Sequence, residues 1–396
     1  MARHSDDLIT ALDADLIVDL TRRLVAFDTQ NPPGNEKQCA EFIHCTLSEW
    51  GIEAELVGEP DPDRPQLVAW LRGREPGPTL ILNGHMDTVG AGDLQAWRHP
   101  PLEAIVEDDR LCGLGTADMK GALAIAMVVL KTLKEAGRPR AGTLMFQSAM
   151  GEEMDEPGTR TLLQKGYTGD WAIVLEPTDL RIGPGTRGAC WHDITFIGPS
   201  AHCGLVPGET ADVMQAVSAF GSAIAELHAA ISQKAHHLMP SPACRITRIE
   251  GGRAHNATVD TCRLTVDRRM LPEESFDGIT HELTALLDDI VQRHPGVSYE
   301  VAFVAGNEPT ETSLENRLIR ALDAAHEAVL GGKAEVWGPP YGSDMRNFVW
   351  DAGIPATNFG PGDFTVCHQP NEHVKIEDLA NGARIVLAAT LDLLEG

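Results

Sequence analysis

Metal-binding and acid–base side chains recur at the ends of apolar segments in this chain. His85 and Asp87 follow the apolar run 80–82 and stand two positions apart, so both can face the same side of an extended segment. An aspartate close to a histidine can fix the tautomer and the orientation of the imidazole ring, so we predict this role for Asp87. Taken alone, the pair also fits an ordinary polar loop at the end of a strand.

Carboxylates follow two further apolar segments. Glu152 and Glu153 come after a strand predicted over 143–148, and Glu176 comes after a strand predicted over 171–175. Adjacent carboxylates behind a buried strand raise each other's pKa values unless a cation or solvent compensates for their charge. A bound metal is one such compensation, and an exposed acidic loop is the alternative.

Asp118 and His368 complete a set of candidate metal ligands. Asp118 precedes a long apolar helix, where an isolated aspartate is usually an N-cap. The candidate ligands are His85, Asp118, Glu153, Glu176 and His368. Their oxygen and nitrogen donors suit zinc, cobalt or manganese better than calcium or copper, and they suffice for two ions that share one carboxylate. Glu152, beside a ligand, is then placed to act as general base on a water molecule.

The elements that must hold these residues follow a mixed α/β pattern at both ends of the chain. Amphipathic helices and short strands alternate up to about residue 182, and the same pattern resumes in the final third. Between them, the order β-α-β-β-α predicts a separate α+β domain. We therefore predict an α/β catalytic domain with a mixed sheet, formed by residues 1–182 and 298–396, and an inserted domain formed by residues 183–297.

The composition restricts the partners and the location of the protein. The 396 residues carry a formal net charge of −26, which repels polyanions, so we expect neither nucleic acid nor an anionic membrane as a partner. No apolar stretch approaches the length of a membrane span, and the chain starts without the apolar segment of a signal peptide, so we expect a cytoplasmic protein. The eight cysteines form no Cys-x-x-Cys pair, which argues against a thiolate zinc site.

Six short motifs, in their order along the chain, resemble those of the M20 metallopeptidase and deacylase family. They are NPPGNE, NGHMDTV, GLGTADMKGA, GEE, LEPTD and GPGDFTVCHQPNEH, and they extend through nearly the whole chain. The family includes acetylornithine deacetylase, succinyl-diaminopimelate desuccinylase, aminoacylase and glutamate carboxypeptidase. The resemblance implies a di-metal hydrolase domain with an inserted lid domain, through which two copies form a homodimer.

The resemblance also divides the candidate ligands between two divalent metal ions, with zinc as the first choice and cobalt or manganese as alternatives. One ion would be held by His85, Glu176 and a bridging Asp118. The other would be held by Asp118, Glu153 and His368. The number of candidate ligands by itself also suits two ions that share one carboxylate.

Catalytic roles follow from the same resemblance. Glu152 would be the catalytic acid and base, and Asp87 would orient His85. The peptide bond at 118–119 would be cis, which is rare outside proline. In the lid, His202 lies in a segment whose histidine reaches an active site, often that of the partner subunit, and polarises the substrate carbonyl.

Substrate contacts are predicted at three further positions. Asn256 and Arg269 lie in two lid motifs and are candidate contacts with the substrate. Arg346 could hold a substrate carboxylate through its forked guanidinium group. Arg268, His255 or a simple surface salt bridge would fit almost equally well.

These expectations lead to a metal-dependent amide hydrolase that removes an acyl group from an N-acyl amino acid. The segments 176–178 and 360–362 resemble the deacetylase and desuccinylase branch of the family. A dipeptidase or a glutamate-carboxypeptidase-like enzyme with the same machinery is the alternative, and a non-catalytic metal-binding or ligand-binding scaffold is a third reading. Gly113 and Gly115 lack the rest of a dinucleotide fingerprint, which argues against an NAD-dependent enzyme.

Overall fold

Two compact units make up the chain in the computed structural model. The structure describes residues 8–154, 156–205 and 211–396. The first unit consists of the chain up to Gly185, Glu311–Trp337 and Ser343–Gly396. The second, which we call the inserted unit, consists of Thr186–Thr310 and Gly338–Gly342. The predicted α/β class with an insertion is therefore confirmed.

A six-stranded mixed sheet forms the centre of the first unit. Its strands are β1 (Glu53–Val57), β2 (Gln66–Arg72), β3 (Glu75–His85), β6 (Ala141–Ala149), β7 (Trp171–Val174) and β14 (Ala356–Asn358). Their order across the sheet is β1-β2-β6-β3-β7-β14, with antiparallel pairing up to β6 and parallel pairing from β6 to β14. The carboxyl ends of β6, β3 and β7 therefore meet at one edge, where α/β proteins bind their ligands.

Helices pack on this sheet through two hydrophobic cores. The larger core includes α1 (Ala14–Val25), α2 (Lys37–Glu49), α3 (Gly121–Glu135), α7 (Arg317–Leu330) and α8 (Ile376–Glu395), and the smaller includes α4 (Pro157–Gln164). Leu80 and Leu82 of β3 pack into the larger core, whereas Ile81 packs into the smaller one. Successive side chains of a strand point to opposite faces, so β3 is buried on both.

Strand β3 extends beyond the apolar run 80–82. It continues through Gly84 to His85 without a turn. Gly84 allows this because a Cβ there would lie 2.8 Å from Cε of Met119 and 2.9 Å from Cδ2 of Leu123. The glycine thus serves close packing against the neighbouring helix rather than a turn.

The inserted unit is an antiparallel sheet covered by two helices. Its strands are β9 (Gly188–Ile197), β10 (Ala243–Gly251), β11 (Thr261–Met270) and β12 (Ser298–Asn307), in the order β10-β11-β9-β12. Helices α5 (Val213–Ile231) and α6 (Phe276–Arg293) pack on the sheet through a core that includes Phe196, Phe220 and Leu287. This is the predicted α+β organisation.

The predicted end of the inserted domain needs a correction. We expected the chain to return to the first domain at residue 298, but β12 pairs with β9 from Ser298 to Asn307. Because β12 completes the sheet of the inserted unit, this unit extends to Thr310. The residue pattern of a strand shows that it is half buried but not which sheet it joins.

Short strands complete the architecture. A three-stranded sheet is formed by β4 (Ile105–Glu107), β5 (Arg110–Cys112) and β15 (His373–Lys375). A two-stranded ribbon of β8 (Gly185–Thr186) and β13 (Thr310–Glu311) contains two of the four points where the chain passes from one unit to the other. Within the described parts of the chain, no helix is long and apolar enough to cross a membrane.

Candidate metal centre

Asp118 is the centre of a compact group of histidine and carboxylate side chains. Its Oδ1 lies 3.1 Å from Nε2 of His85, and its Oδ2 lies 3.3 Å from Nε2 of His368. Oε2 of Glu153 lies 3.2 Å from Nε2 of His368, and Oε1 of Glu176 lies 3.8 Å from Nε2 of His85. The five candidate ligands thus form two groups that share Asp118, and within each group the ligand atoms lie within 4.8 Å of one another.

Three parallel strands and one turn bring four of the five ligands together, and His368 joins them from a second turn. His85 is the last residue of β3, the pair 152–153 follows β6, and Glu176 follows β7. Because β3 lies between β6 and β7, these ends are adjacent. Asp118 lies in a distorted turn before α3 and is not its N-cap, a position taken by Lys120 without a capping side chain.

Burial and like charges shift the pKa values of the carboxyl groups. Burial, followed by the charge of Glu176, raises the pKa of Glu152 well above its usual range. Burial and the charge of Asp118 raise the pKa of Glu153 and that of Glu176. Carboxylates collected in this way out of water need cations close by.

The two histidines supply part of the required positive charge. Burial alone would lower the pKa of His85, but the hydrogen bond to Asp118 and the charge of Glu152 raise it well above the usual value. Hydrogen bonds to Asp118 and Glu153 raise the pKa of His368 to about 10. Burial would raise the pKa of Asp118, but the hydrogen bonds to His368 and His85 lower it. In the metal-free centre the carboxylates therefore favour the protonated form of both imidazole rings, and a bound cation would replace those protons.

Two carboxylate oxygens show that this group fits a pair of metal ions. Oε1 of Glu153 and Oε1 of Glu176 are buried and have no hydrogen-bond partner among the described residues. A buried carboxylate oxygen without a partner is costly, and coordination to a cation removes this cost. Imidazole nitrogens and carboxylate oxygens are also the donors that zinc and manganese accept.

Asp87 has a different main contact from the predicted one. Nδ1 of His85 lies 3.0 Å from the main-chain oxygen of Asp87, whereas the carboxylate oxygen is 3.6 Å away. The carboxylate accepts hydrogen bonds from the N–H groups of Glu152 and Glu153, at 3.1 and 3.2 Å. It also accepts one from Nδ2 of Asn31 at 2.9 Å. Asp87 thus contacts His85 mainly through its main chain, while its side chain fixes the turn at 152–153.

A buried glutamate fixes the turn around Asp118. The peptide bond between Asp118 and Met119 is cis, as predicted. Oε1 of Glu372 accepts hydrogen bonds from the N–H groups of Ala117 and Asp118, at 2.9 and 3.0 Å. Burial, followed by the charge of Asp118, raises the pKa of Glu372 to about 8. The shared ligand is therefore held through its main chain as well as through its side chain.

Arg346 contacts polar groups of its own unit. Its guanidinium nitrogens lie 3.6 Å from a carboxylate oxygen of Glu156 and 3.6 Å from one of Asp351, and its side chain is 11% exposed. It also donates a hydrogen bond of 2.6 Å to Oδ1 of Asn347. These partners hold the guanidinium in place, and its contact with a substrate carboxylate stays a prediction.

Two of the predicted substrate-contacting residues lie side by side on the inserted unit. Nε2 of His202 lies 3.3 Å from Nδ2 of Asn256. The main-chain N–H of Cys203 donates a hydrogen bond of 2.8 Å to the main-chain oxygen of Asn256, which joins the two loops. Both side chains are exposed, so they can face a ligand.

Exposure separates Arg269 from its competitor Arg268. The side chain of Arg268 is 1% exposed and pairs with Glu274 at 2.6 Å. The side chain of Arg269 is 38% exposed and pairs with Asp267 at 2.9 Å. Of the two arginines, Arg269 is therefore the more accessible, and Arg268 stabilises the inserted unit.

Comparison with known proteins identifies the family. Residues 81–392 match the profile of peptidase family M20/M25/M40. The chain belongs to this family. The predicted membership is confirmed, and with it the prediction of a hydrolase that acts on amide bonds.

Two relatives of this chain have names that state an activity. The N-formyl-4-amino-5-aminomethyl-2-methylpyrimidine deformylase of Bacillus subtilis is 28% identical over 407 aligned positions, which cover 94% of this chain and 93% of the relative. The succinyl-diaminopimelate desuccinylase of Alkalilimnicola ehrlichii is 30% identical over 327 positions, which cover 80% of this chain and 84% of the relative.

Solved structures of similar proteins share the fold. The aminopeptidase PepT of Bacillus cereus superposes with a TM-score of 0.80 at 20% identity, over 96% of this chain and 99% of that one. The Bacillus subtilis protein YXEP, a dinuclear metal-binding peptidase of the M20 family, superposes with a TM-score of 0.74 at 17% identity, over 98% and 99%. At these identities the likeness establishes the fold.

Sequence reasoning assigned no role to two residues of this M20 site. Asn31 and Glu372 lie in the motifs NPPGNE and HQPNEH, which carried the resemblance. They contact residues beside or among the ligands rather than completing the ligand set. Their positions within motifs that also contain the ligands were the only indication of a role in the sequence. The contacts that define this role join distant parts of the chain.

Proposed function

We propose that this protein hydrolyses the amide bond of a small N-acylated substrate and releases a carboxylic acid and an amine. The observation that carries the proposal is the position of Glu152 at the junction of the two ligand groups. Its Oε2 lies 3.9 Å from Nε2 of His85, a member of one group, and the adjacent Glu153 is a member of the other. A carboxyl group in this position can exchange a proton with a water molecule and a substrate nitrogen.

Two divalent cations would complete the centre. In our proposal the ligands are His85, Asp118 and Glu176 for one ion, and Asp118, Glu153 and His368 for the other. We favour zinc, with cobalt or manganese as alternatives, because all three accept these donors. When bound, the cations would supply Lewis acidity, which polarises a substrate carbonyl and lowers the pKa of a water molecule.

Glu152 carries the proton in this reaction. It removes a proton from the attacking water and delivers that proton to the departing nitrogen. The water oxygen forms a bond to the acyl carbon, and the bond between this carbon and the nitrogen breaks. In the metal-free centre burial raises the pKa of Glu152, a direction that makes its carboxylate a stronger proton acceptor than an exposed glutamate. Asp87 supports this role, since it holds the main chain of Glu152.

The names of the two relatives support acyl removal over peptide cleavage. Both names describe the removal of a one-carbon or four-carbon acyl group, formyl or succinyl. We therefore propose an N-acyl amino acid, or another N-acylated amine, as the substrate class. A dipeptidase is the second candidate, and the fold it shares with an aminopeptidase at 20% identity gives weaker support, because fold alone does not specify a substrate.

The remaining predictions concern the inserted unit and the setting of the reaction. We propose that His202 polarises the substrate carbonyl and that Asn256 is a further substrate contact, supported by their exposure and by their proximity to each other. Arg269 stays a candidate for a charged end of the substrate. The homodimer formed through the inserted unit and the cytoplasmic location stay predictions, as does the absence of nucleic-acid and membrane partners.

Hydrolysis by metal-depleted protein tests the proposal. The assay adds back zinc, cobalt or manganese and offers N-formyl, N-acetyl and N-succinyl amino acids together with unblocked dipeptides. We expect metal-restored hydrolysis of at least one acylated group. Turnover confined to dipeptides would favour the second candidate, and no hydrolysis of any substrate by protein with two ions bound would contradict the proposal.

The substitution Glu152→Gln tests the assigned proton carrier. We expect the variant to bind two metal ions and to lose about 100-fold to 10,000-fold in kcat, because the amide cannot exchange the proton. Glu49→Gln is the control, since it makes the same chemical change at an exposed position at the end of α2. If the Glu152 variant turned over within a few-fold of the wild type, another group would be the base.

A further inference from the structure

We infer that Glu372 is a positioning residue for the shared ligand Asp118, and that the metal pair needs it for full affinity. The inference rests on the proposed function in one respect, because it takes Asp118 as a ligand of both ions. Glu372 does not belong to either ligand group. It acts through the main chain of residues 117 and 118.

The hydrogen bonds of Glu372 fix the direction of the Asp118 side chain. One oxygen, Oε1, accepts the N–H of Ala117 at 2.9 Å and the N–H of Asp118 at 3.0 Å. These N–H groups belong to the two consecutive peptide planes that precede the Cα of Asp118. The orientation of the planes determines where the carboxylate points, so a shift of the acceptor would move both carboxylate oxygens.

Main-chain contacts hold Glu372 itself in place. Its carbonyl oxygen accepts a hydrogen bond of 2.9 Å from the N–H of Gly113. The next residue, His373, pairs with Cys112 where β15 runs beside β5. Glu372 is 1% exposed, so bulk water does not compete for its contacts. The acceptor is therefore a fixed point beside the turn.

The segment that carries Glu372 also contributes a ligand to one of the two groups. His368 lies four residues before Glu372 in the chain. Asp118 contacts His368 with one carboxylate oxygen at 3.3 Å and His85 with the other at 3.1 Å. A displacement of Asp118 would therefore change the ligand geometry of both ions. Polar groups that support ligands in this way typically change metal affinity by about 10-fold to 100-fold when they are lost.

A purely structural role for Glu372 predicts a different result. A loop anchor would stabilise the folded protein by the same amount with and without metal. A positioning residue would stabilise the metal-bound protein more, because a weaker metal affinity reduces the stabilisation that the metal gives. The two roles are therefore separated by comparing the metal-free and the metal-bound states.

The experiment uses the full chain with Glu372→Ala and Glu372→Gln. Zinc affinity is measured by competition with a chelator, and the thermal midpoint is measured with and without zinc. We expect the alanine variant to bind zinc about 10-fold to 100-fold more weakly and to show a smaller zinc-induced rise of the midpoint. Glutamine keeps an acceptor oxygen for the two N–H groups, so we expect a smaller loss.

Glu274→Gln serves as the matched control for lost buried interactions. Glu274 pairs with the buried Arg268 in the inserted unit, so the variant should lower the midpoint equally in both states and leave zinc affinity unchanged. Wild-type zinc affinity in the Glu372 variants would overturn the inference, as would equal losses of midpoint with and without zinc. If the alanine variant does not fold, the glutamine variant decides by the same criteria.

The inference and the proposed function fail in different ways. Zinc-loaded wild-type protein that hydrolyses no acylated substrate would count against the proposed function and leave the role of Glu372 standing. Unchanged zinc affinity in the Glu372 variants, with active wild-type protein, would count against the inference alone.

Discussion

The two halves of the metal centre differ in how the protein surrounds them. The side chain of His85 is 2% exposed, whereas that of His368 is 52% exposed. Both histidines nevertheless contact the same aspartate through Nε2, at 3.1 and 3.3 Å. Two sites with nearly the same donors can thus have unequal access to water, and this access decides how each site responds to a change.

The difference follows from the elements that carry the histidines. His85 ends a central strand, and its N–H lies 3.3 Å from Sδ of the buried Met119. His368 has a left-handed φ of +59° and lies in a turn near the surface. We call these the buried half and the exposed half of the centre. We expect the ion in the exposed half to exchange with solvent first.

Substitution of the two histidines should reveal the largest difference between the buried half and the exposed half. His85→Ala removes a nitrogen donor from the group that it forms with Asp118 and Glu176, at a position where water has little access to replace it. We expect this variant to lose more than about 100-fold in metal affinity, because the loss of a group that only supports a ligand already costs about 10-fold to 100-fold. His368→Ala should lose less, because water can take the open position.

Added imidazole distinguishes the two variants. A free imidazole molecule can enter the exposed half from solvent but cannot reach the buried half. We therefore expect imidazole to restore metal binding to the His368 variant and not to the His85 variant, as followed by cobalt absorption. Equal rescue of both variants would contradict the comparison.

A pH titration tests the comparison next. Further buried carboxyl groups lie beside the ligands of the buried half, and their protonation depends on pH. Asp344 adds to the negative charge that acts on Glu152 and Glu176. Nδ2 of Asn347 donates hydrogen bonds to both Asp344 and Glu156, at 3.0 and 2.9 Å. Burial, followed by the charge of Asp344, raises the pKa of Glu156 to about 8 from an ordinary 4.5.

The sign of the pH effect follows from this shift. Because the pKa of Glu156 is higher in the folded protein, its contribution to stability is fully present below about pH 4.5 and is lost as the pH rises through about 8. In metal-depleted protein we expect Glu156→Gln to remove part of this loss. Urea denaturation should show the variant gaining roughly 1–4 kcal/mol on the wild type between pH 5 and pH 8.

Parallel pH curves for the variant and the wild type would contradict this prediction. Glu49→Gln is again the control, because an exposed glutamine at the end of α2 should leave the curve unchanged. With parallel curves, the two halves of the centre would differ in exposure alone and not in electrostatics.

The ligands of this centre could be predicted from the sequence because their types and positions are local. His85, Glu153 and Glu176 each end or follow an apolar strand, and parallel strands bring such positions to one edge. Asp118 illustrates the limit of this reasoning. Its place before an apolar helix fits an N-cap equally well, and only the resemblance to a family gave it the role of shared ligand.

The supports of the centre could not be predicted because they depend on contacts between distant segments. Glu372 meets the N–H of Asp118 across 254 positions, and Asn31 meets Asp87 across 56. No local pattern shows which main-chain group a loop carboxylate will bind. The same reason explains the misplaced end of the inserted domain, since β12 is assigned by its pairing partner and not by its residues.

The smallest predicted effect concerns the turn that carries the exposed half. Asn371 has a left-handed φ of +68°, its Oδ1 accepts the N–H of Arg98 at 2.7 Å, and its Nδ2 donates to the oxygen of Ala96 at 3.0 Å. Asn371→Gly keeps the backbone conformation and loses the hydrogen bonds, whereas Asn371→Ala loses both. We expect a loss of zinc affinity of less than about 10-fold, larger for alanine than for glycine, because the ligands themselves remain. A zinc titration that resolves the two binding steps should show this loss of affinity in the weaker step alone. If both steps weakened equally, the two halves would be coupled through this turn, and the exposed half would not be a separate site.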